Sequence, residues 1–225
     1  MEQYFSLLST CPLFADIDPQ TLPELLRCLQ ARAAAYRENQ PIMLEGDPVR
    51  HVGIVLSGAV QVVRDDFYGN RSILTTLTPT QLFAEVFACA GVSVLPVSVI
   101  AACDSQVLLL DCRRVSATCP NSCTHHQQLV KNLLHILAAK NLLLNQKLEV
   151  TAHRTTREKL LAYLLQEAKR AGSNTFTIPY DRQGLADYLG VDRSAMSTEL
   201  GKLKKEGLLD CHRSSFVLPA ETAPN

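Results

Sequence analysis

Apolar positions change their period three times along this chain. Near the N-terminus Leu22, Leu25, Leu26 and Leu29 recur at helical spacing behind Asp18 and Pro19. That predicts a short helix with Asp18 as its cap and Pro19 at its first position. From 41 to about 110 the pattern becomes short β-branched runs broken by EGDP (45–48), LSG (56–58), DDFYGN (65–70), TPTQ (78–81) and CDS (103–105). Such spacing predicts antiparallel strands in a sandwich or barrel. Within it, VQVVRDDFYGNRSILTTL reads as a hairpin reversing at Gly69-Asn70.

The third pattern, from about 121 to 151, contains neither Gly nor Pro and carries Leu129, Leu133, Ile136, Leu137, Leu143, Leu144 and Leu148. A helix of about 30 residues reaches about 45 Å, longer than one small β-domain can bury. The plain reading is a core helix; a stripe that outlasts the β-domain favours a two-stranded coiled coil between two copies of the chain. Beyond HRTT (153–156) the helical period resumes in TREKLLAYLLQEAKRAG and stops at Gly172. An extended piece, TFTIPY, follows, then helices over 182–189 and 193–206 around Gly190, and a small hairpin in LLDCHRSSFVL.

Those two helices carry the most specific chemistry. A helix-turn-helix needs a small residue where its helices approach and a turn tolerating positive φ, and Ala186 and Gly190 stand at those places. Asp192 is placed to cap the second helix, with Val191, Ala195, Met196, Leu200 and Leu203 turned to the core. Arg193, Ser194, Ser197 and Thr198 then occupy the outer face near the helix start, where this motif meets base edges. Arg182, Gln183, Lys202, Lys204 and Lys205 suit phosphates, which fix register without reading sequence.

Composition narrows the partners. With 22 basic and 22 acidic residues the chain has no net charge, so it is no generic polyanion binder and any nucleic-acid site is local. The opening MEQYFSLLSTCP carries no cationic run before its apolar residues and does not resemble a secretion signal. Eight cysteines without such a signal fit a cytoplasmic protein with reduced thiols. The uncharged stretch 86–103 is long enough to raise a membrane span. Pro96 interrupts it, and two buried strands joined by a turn explain it better.

EGDPVRHVGIVLSGAVQVV, with Gly46, Asp47 and Gly58, resembles the β-roll signature of the Crp/Fnr superfamily of bacterial transcription regulators. DRQGLADYLGVDRSAMSTELGKLKKEGLL, with Arg182, Gln183, Gly190, Arg193 and Leu203, resembles that family's helix-turn-helix. The resemblance covers nearly the whole chain and implies an α+β protein. An antiparallel, jelly-roll-like β-roll that senses an effector would occupy 1–120, a dimerisation helix 121–152, and a winged helix-turn-helix 153–225. It further implies a homodimer joined along the long helix, a palindromic double-stranded DNA site with half-sites one helical turn apart, and a small-molecule effector. RNA polymerase is a candidate partner.

The departures from the family are informative. Members that bind cyclic AMP carry Gly-Glu at the phosphate-binding turn and an Arg-Ser pair ten residues beyond that Glu. Here Ala84 precedes Glu85, the later pair is Leu95-Pro96, and 86–103 has neither Lys nor Arg. A phosphate taken out of water needs a cation or several N–H donors, so cyclic nucleotides are expected to bind weakly or not at all. Phe83, Glu85, Val86, Val97 and Ser98 are the candidate effector-pocket residues. The family's iron–sulfur branch uses closely spaced N-terminal cysteines; Cys11 and Cys28 stand alone there, and that cluster is not supported. The CO-sensing haem type remains open, although no Cys or His is marked as an axial ligand.

CRRVSATCPNSCTHH (112–126) gathers Cys112, Cys119, Cys123, His125 and His126 just ahead of the long helix. Thiols and imidazoles at that spacing could hold Zn²⁺ or form a reversible disulfide. The plain alternative is that the cysteines pack as small hydrophobes and the histidines are solvated. A metal- or thiol-responsive regulator therefore stands beside the effector-sensing one, as does a ligand-binding module without DNA activity. Only His51 lies in the β-region and no nucleophile–base constellation appears, so an enzyme is not expected.

Overall fold

The computed structural model describes residues 2–65, 67, 71–116 and 124–219. Gly69-Asn70, Cys119 and Cys123 lie outside them. The chain divides into two compact units, Met1–Ala139 and Lys140–Asn225.

The first unit begins with a helical turn at Glu2–Tyr4, helix α1 (Phe5–Thr10), a second turn at Pro12–Phe14 and helix α2 (Leu22–Cys28). Strands β1 (Arg32–Tyr36), β2 (Pro41–Met43), β3 (His51–Ser57), β4 (Val60–Asp65), β5 (Arg71–Leu77) and β6 (Leu82–Phe83) follow. After helix α3 (Glu85–Cys89) come β7 (Ser98–Ala101), β8 (Ser105–Asp111), helix α4 (Cys112–Ser116) and the long helix α5 (Thr124–Ala152). The strands form two antiparallel four-stranded sheets, ordered β1-β8-β3-β6 and β2-β7-β4-β5.

The strand β3 reads VGIVL with no polar interruption because both of its faces are covered. Val55 joins Val107 and Phe83 against Val60, Leu77 and Val99 of the second sheet. Val52, Ile54 and Leu56 face the other way, toward Leu8, Leu13, Leu22 and Leu25 and, from α5, Leu129 and Leu133. The hairpin expected over 60–77 forms as β4 and β5, paired from Val60–Leu77 to Asp65–Arg71. Six of the seven β5 residues are exposed, as suits an edge strand.

Two expectations are corrected in this unit. Helix α2 starts after Thr21, one turn later than expected, with a proline in its first turn and no side-chain cap. Asp18 instead accepts the Gln20 N–H at 2.9 Å and shapes the turn before the helix. The stretch 86–103 is not a pair of strands: α3 occupies its start and β7 its end. Ala84 turns the chain in the left-handed region (φ 63°) ahead of α3, and the alternating valines begin only after that helix, at Val92.

The second unit contains the last part of α5, then α6 (Thr156–Ala171), β9 (Thr175–Thr177), α7 (Arg182–Leu189), α8 (Arg193–Lys205), β10 (Asp210–His212) and β11 (Ser215–Val217). Thr155 and Glu158 form a reciprocal capping box at the start of α6, and Gly172 ends it at φ 60°. The strands β9, β10 and β11 make an antiparallel wing of order β10-β11-β9. Val150, Leu160, Leu164, Leu185, Leu189, Met196, Leu200, Leu203 and Phe216 close its core. No helix among the described residues is long and apolar enough to cross a membrane.

Candidate nucleic-acid interface and effector site

Two carboxylate caps fix the helix-turn-helix. Asp181 accepts the Gly184 N–H at 2.7 Å to start α7. Gly190 ends that helix at φ 62°, a conformation costing an L side chain about 1–2 kcal/mol. Asp192 then starts α8, its Oδ1 accepting from Ser194 N and Ala195 N, both at 2.9 Å. The Ser194 hydroxyl also donates to Asp192, and with the two backbone N–H groups it holds that carboxyl below the usual range.

Buried Met196, Leu200 and Leu203 orient α8. Arg193, Ser194, Ser197 and Thr198 are all exposed on its first two turns. The Thr198 hydroxyl donates to Ser194 O at 2.9 Å, which still leaves its lone pairs outward. Ala195 is exposed too, correcting the expectation that it faces the core. A methyl group therefore joins the outer face, a surface able to touch a thymine methyl.

The candidate phosphate ligands are less uniform. Arg182 is half-buried, donating to Cys211 Sγ at 3.4 Å with its guanidinium 5.4 Å from the Phe216 ring centre. It ties α7 to the wing. Gln183 donates to Asp187 at 2.8 Å. Lys202 pairs with Glu199 and Lys204 with Asp210, each at 2.5 Å. Exposed pairs of this kind contribute about 0–1 kcal/mol, so a phosphate can displace the carboxylate. Lys205 is exposed without an ion pair among the described residues.

The candidate effector residues are packed rather than gathered round an opening. Phe83, Glu85, Val97 and Ser98 are buried, and only Val86 is exposed. Phe83 fills the space over Gly53, where a Cβ would lie 1.9 Å from its ring. The Ser98 hydroxyl accepts the Glu45 N–H at 3.0 Å.

Of the cysteine–histidine group only Cys112, His125 and His126 are described. Burial, helped by Asp111, pushes the Cys112 thiol up, away from a reactive thiolate, and its sulfur donates to Val49 O. His125 lies 3.5 Å from the Thr21 hydroxyl. His126 is buried, and neither ring nitrogen has a hydrogen-bond partner among the described residues. Among the described residues no three His, Cys, Asp or Glu side chains are placed to hold a metal ion.

Residues 34–120 match the cyclic nucleotide-binding domain family and residues 158–222 match the Crp-like helix-turn-helix domain. The chain belongs to the Crp/Fnr superfamily. As a Crp/Fnr-type chain it is a DNA-binding transcription regulator with an effector-binding domain. The transcriptional activator protein FnrL of Cereibacter sphaeroides is 26% identical over 84% of this chain and 77% of its own length. The global nitrogen regulator of Nostoc sp. is 21% identical over 81% of this chain and 83% of its own. Among solved structures, the global regulator CLP of Xanthomonas campestris matches with a TM-score of 0.55 at 18% identity, covering 89% of this chain and 99% of that one. DNR from Pseudomonas aeruginosa matches at 0.51 and 21%, covering 98% and 96%. The structural likenesses speak for the shared fold.

Sequence reasoning missed two features. Asn132 is a buried polar residue on α5, donating to Leu13 O at 3.0 Å and Ala15 O at 2.7 Å while its oxygen accepts from Gln128. Its position within an apolar helix was the available signal. A cluster of Tyr163, Tyr180 and Tyr188 lies in the second unit, and nothing local announces it.

Proposed function

We propose that the protein works as a homodimer that reads a palindromic DNA site through α8 and responds to a small molecule other than a cyclic nucleotide. The observation that carries the reading is the cap-anchored α8, which turns Arg193, Ser194, Ser197 and Thr198 outward above buried Met196, Leu200 and Leu203. Arg193 reads a guanine and the hydroxyls make less selective contacts. Gln183, Lys202, Lys204 and Lys205 hold phosphates, with Arg182 bracing the wing.

The dimer rests on the outer face of α5. Leu134, Leu137, Asn141, Leu144 and Leu148 follow one another at alternating steps of three and four, with Leu137 also packed against the first unit's own core. Leu134, Leu144 and Leu148 are each more than half exposed. That is a coiled-coil seam with one polar position, the arrangement that selects two strands in register. Recognition helices held by such a dimer engage half-sites roughly 34 Å apart.

Effector selectivity is supported at the turn before α3. Ala84 stands there in the left-handed conformation, Leu95 and Val97 are buried, and 86–103 supplies no cation. The effector is therefore a group without a bare phosphate, met at the exposed Val86 beside the packed Phe83, Glu85, Val97 and Ser98, which would have to open to admit it. Its signal passes to the DNA-reading heads through the break between α5 and α6.

Selection of bound duplexes from a random library, followed by titration of the enriched site, tests the reading. Affinity should fall steeply with salt. The substitution Arg193→Ala should cost about 1–3 kcal/mol and relax one base position, and Lys205→Ala should weaken all sequences alike. Failure to enrich any sequence would reject it. Calorimetry with cyclic AMP and cyclic GMP should show no micromolar binding.

A further inference from the structure

The DNA-reading surface leaves unused a cavity of about 680 Å³ within the second unit. Its wall includes Tyr163 of α6, Tyr188 of α7, Tyr180 just before α7, Lys147 near the end of α5, and Lys169 and Glu167. The ring centres of the three tyrosines are 5.0, 5.2 and 6.3 Å apart. That spacing suits tilted and edge-to-face aromatic contacts, and a further flat ring finds both π faces and ring edges there.

The polar groups point to the charge of an occupant. Tyr163 is buried, and its hydroxyl has no hydrogen-bond partner among the described residues. Sealed donors of that kind are rare in folded proteins, because the unmade bond is costly. Burial, reinforced by Glu167, keeps this phenol protonated and so a donor. Of the two carboxylates at the cavity, Glu167 pairs with Arg170 at 2.6 Å, and Glu149 accepts from the neutral Gln166 amide at 3.4 Å and keeps its charge. The ammonium of Lys147 lies 5.2 Å from the Tyr188 ring centre, and neither it nor Lys169 has an ion pair among the described residues. An incoming cation would meet two like charges, and a neutral ring would leave them unanswered.

We propose that this cavity binds a small aromatic carboxylate, its ring packed against the tyrosine cluster from the cavity side and its anionic group on Lys147 within reach of the Tyr163 hydroxyl. The charge is decided by the excess of cations in the lining, Lys147, Lys169 and Arg170 against Glu149 and Glu167, and the shape by the rings. The site goes beyond DNA reading and does not depend on it, since binding is measured without DNA.

Equilibrium dialysis of the full chain against 2-naphthoate, detected by the naphthoate's own fluorescence, tests this directly. One saturable site per chain is expected, with 2-naphthamide bound about tenfold more weakly because it cannot answer the ammonium. Lys147→Gln should weaken naphthoate by about tenfold and leave naphthamide unchanged. Tyr163→Phe should weaken naphthoate severalfold while its melting temperature stays level or rises, which separates a lost hydrogen bond from a damaged fold. Absence of saturable binding, equal affinity for the amide, or unchanged affinity in Lys147→Gln would overturn the assignment.

Discussion

The two halves of α5 are equally rich in leucine and meet opposite fates. In the first half Leu129 and Leu133 are buried against Leu13, Leu22 and Val52, and Asn132 is spent on two carbonyls of the N-terminal turn. In the second half Leu142, Leu143, Leu144 and Leu148 are each more than half exposed, and Val150 alone is buried there. Helix propensity cannot tell these halves apart. The difference lies in what the rest of the chain sets beside each: two helical turns and a sheet for the first, a small helical core for the second. An apolar stripe says that a surface will be covered, and the fold says whether its own chain does the covering.

Substitutions at matched leucines separate the two roles. Leu129→Ala should destabilise the first unit by about 2–5 kcal/mol in urea unfolding, as burial without room to collapse requires. Asn132→Ala should cost about 1–3 kcal/mol by leaving the Leu13 and Ala15 carbonyls unpaired. Leu148→Ala should change the stability of the chain's own fold by no more than about 0.5 kcal/mol. The same change should weaken self-association about tenfold or more in sedimentation equilibrium. A wild-type chain that sediments as a monomer would break the comparison on its second half.

Acid sharpens the contrast between the units by a smaller amount. The α6 and α8 starts in the second unit rely on Glu158 and Asp192. Backbone and side-chain bonds at Thr155 hold Glu158 low, and the Ser194 hydroxyl with nearby N–H groups does so for Asp192. Their folded pKa values lie below the unfolded ones, so the stabilisation is complete above about pH 4.5 and lost as pH falls through the depressed values. The starts of α2 and α3 in the first unit have no side-chain cap to lose. Amide exchange along an acid titration should therefore rise first at the starts of α6 and α8.

Much of the second unit was legible because its signals are local. The helix over 182–189, the glycine turn and the Asp192 cap all depend on residues within four positions of one another. Ala195 was misread because a small residue at the edge of an apolar arc carries no decisive hydrophobicity. Asp18 and Thr21 both suit a helix start, with prolines at 19 and 23 doubling the ambiguity. Within 86–103 the valines from Val92 onward alternate as a strand would, yet Ala84 reverses the chain ahead of them and α3 packs beside β3 and α4. The tyrosine cluster joins three residues spread over 25 positions of chain, too far apart for any periodic signal.

By itself, the sequence determined the β4–β5 hairpin, the long helix, the two helices of the reading head, the Gly190 turn and the Asp192 cap. Each of those follows from φ preferences and from hydrogen bonds or apolar repeats only a few residues long. Only the tertiary structure decided which leucines of α5 are core, that Phe83 and Leu95 are packed into the β-roll interior, and that three tyrosines line a cavity together with Lys147. Burial is set by partners remote in the chain, and a local pattern does not contain them.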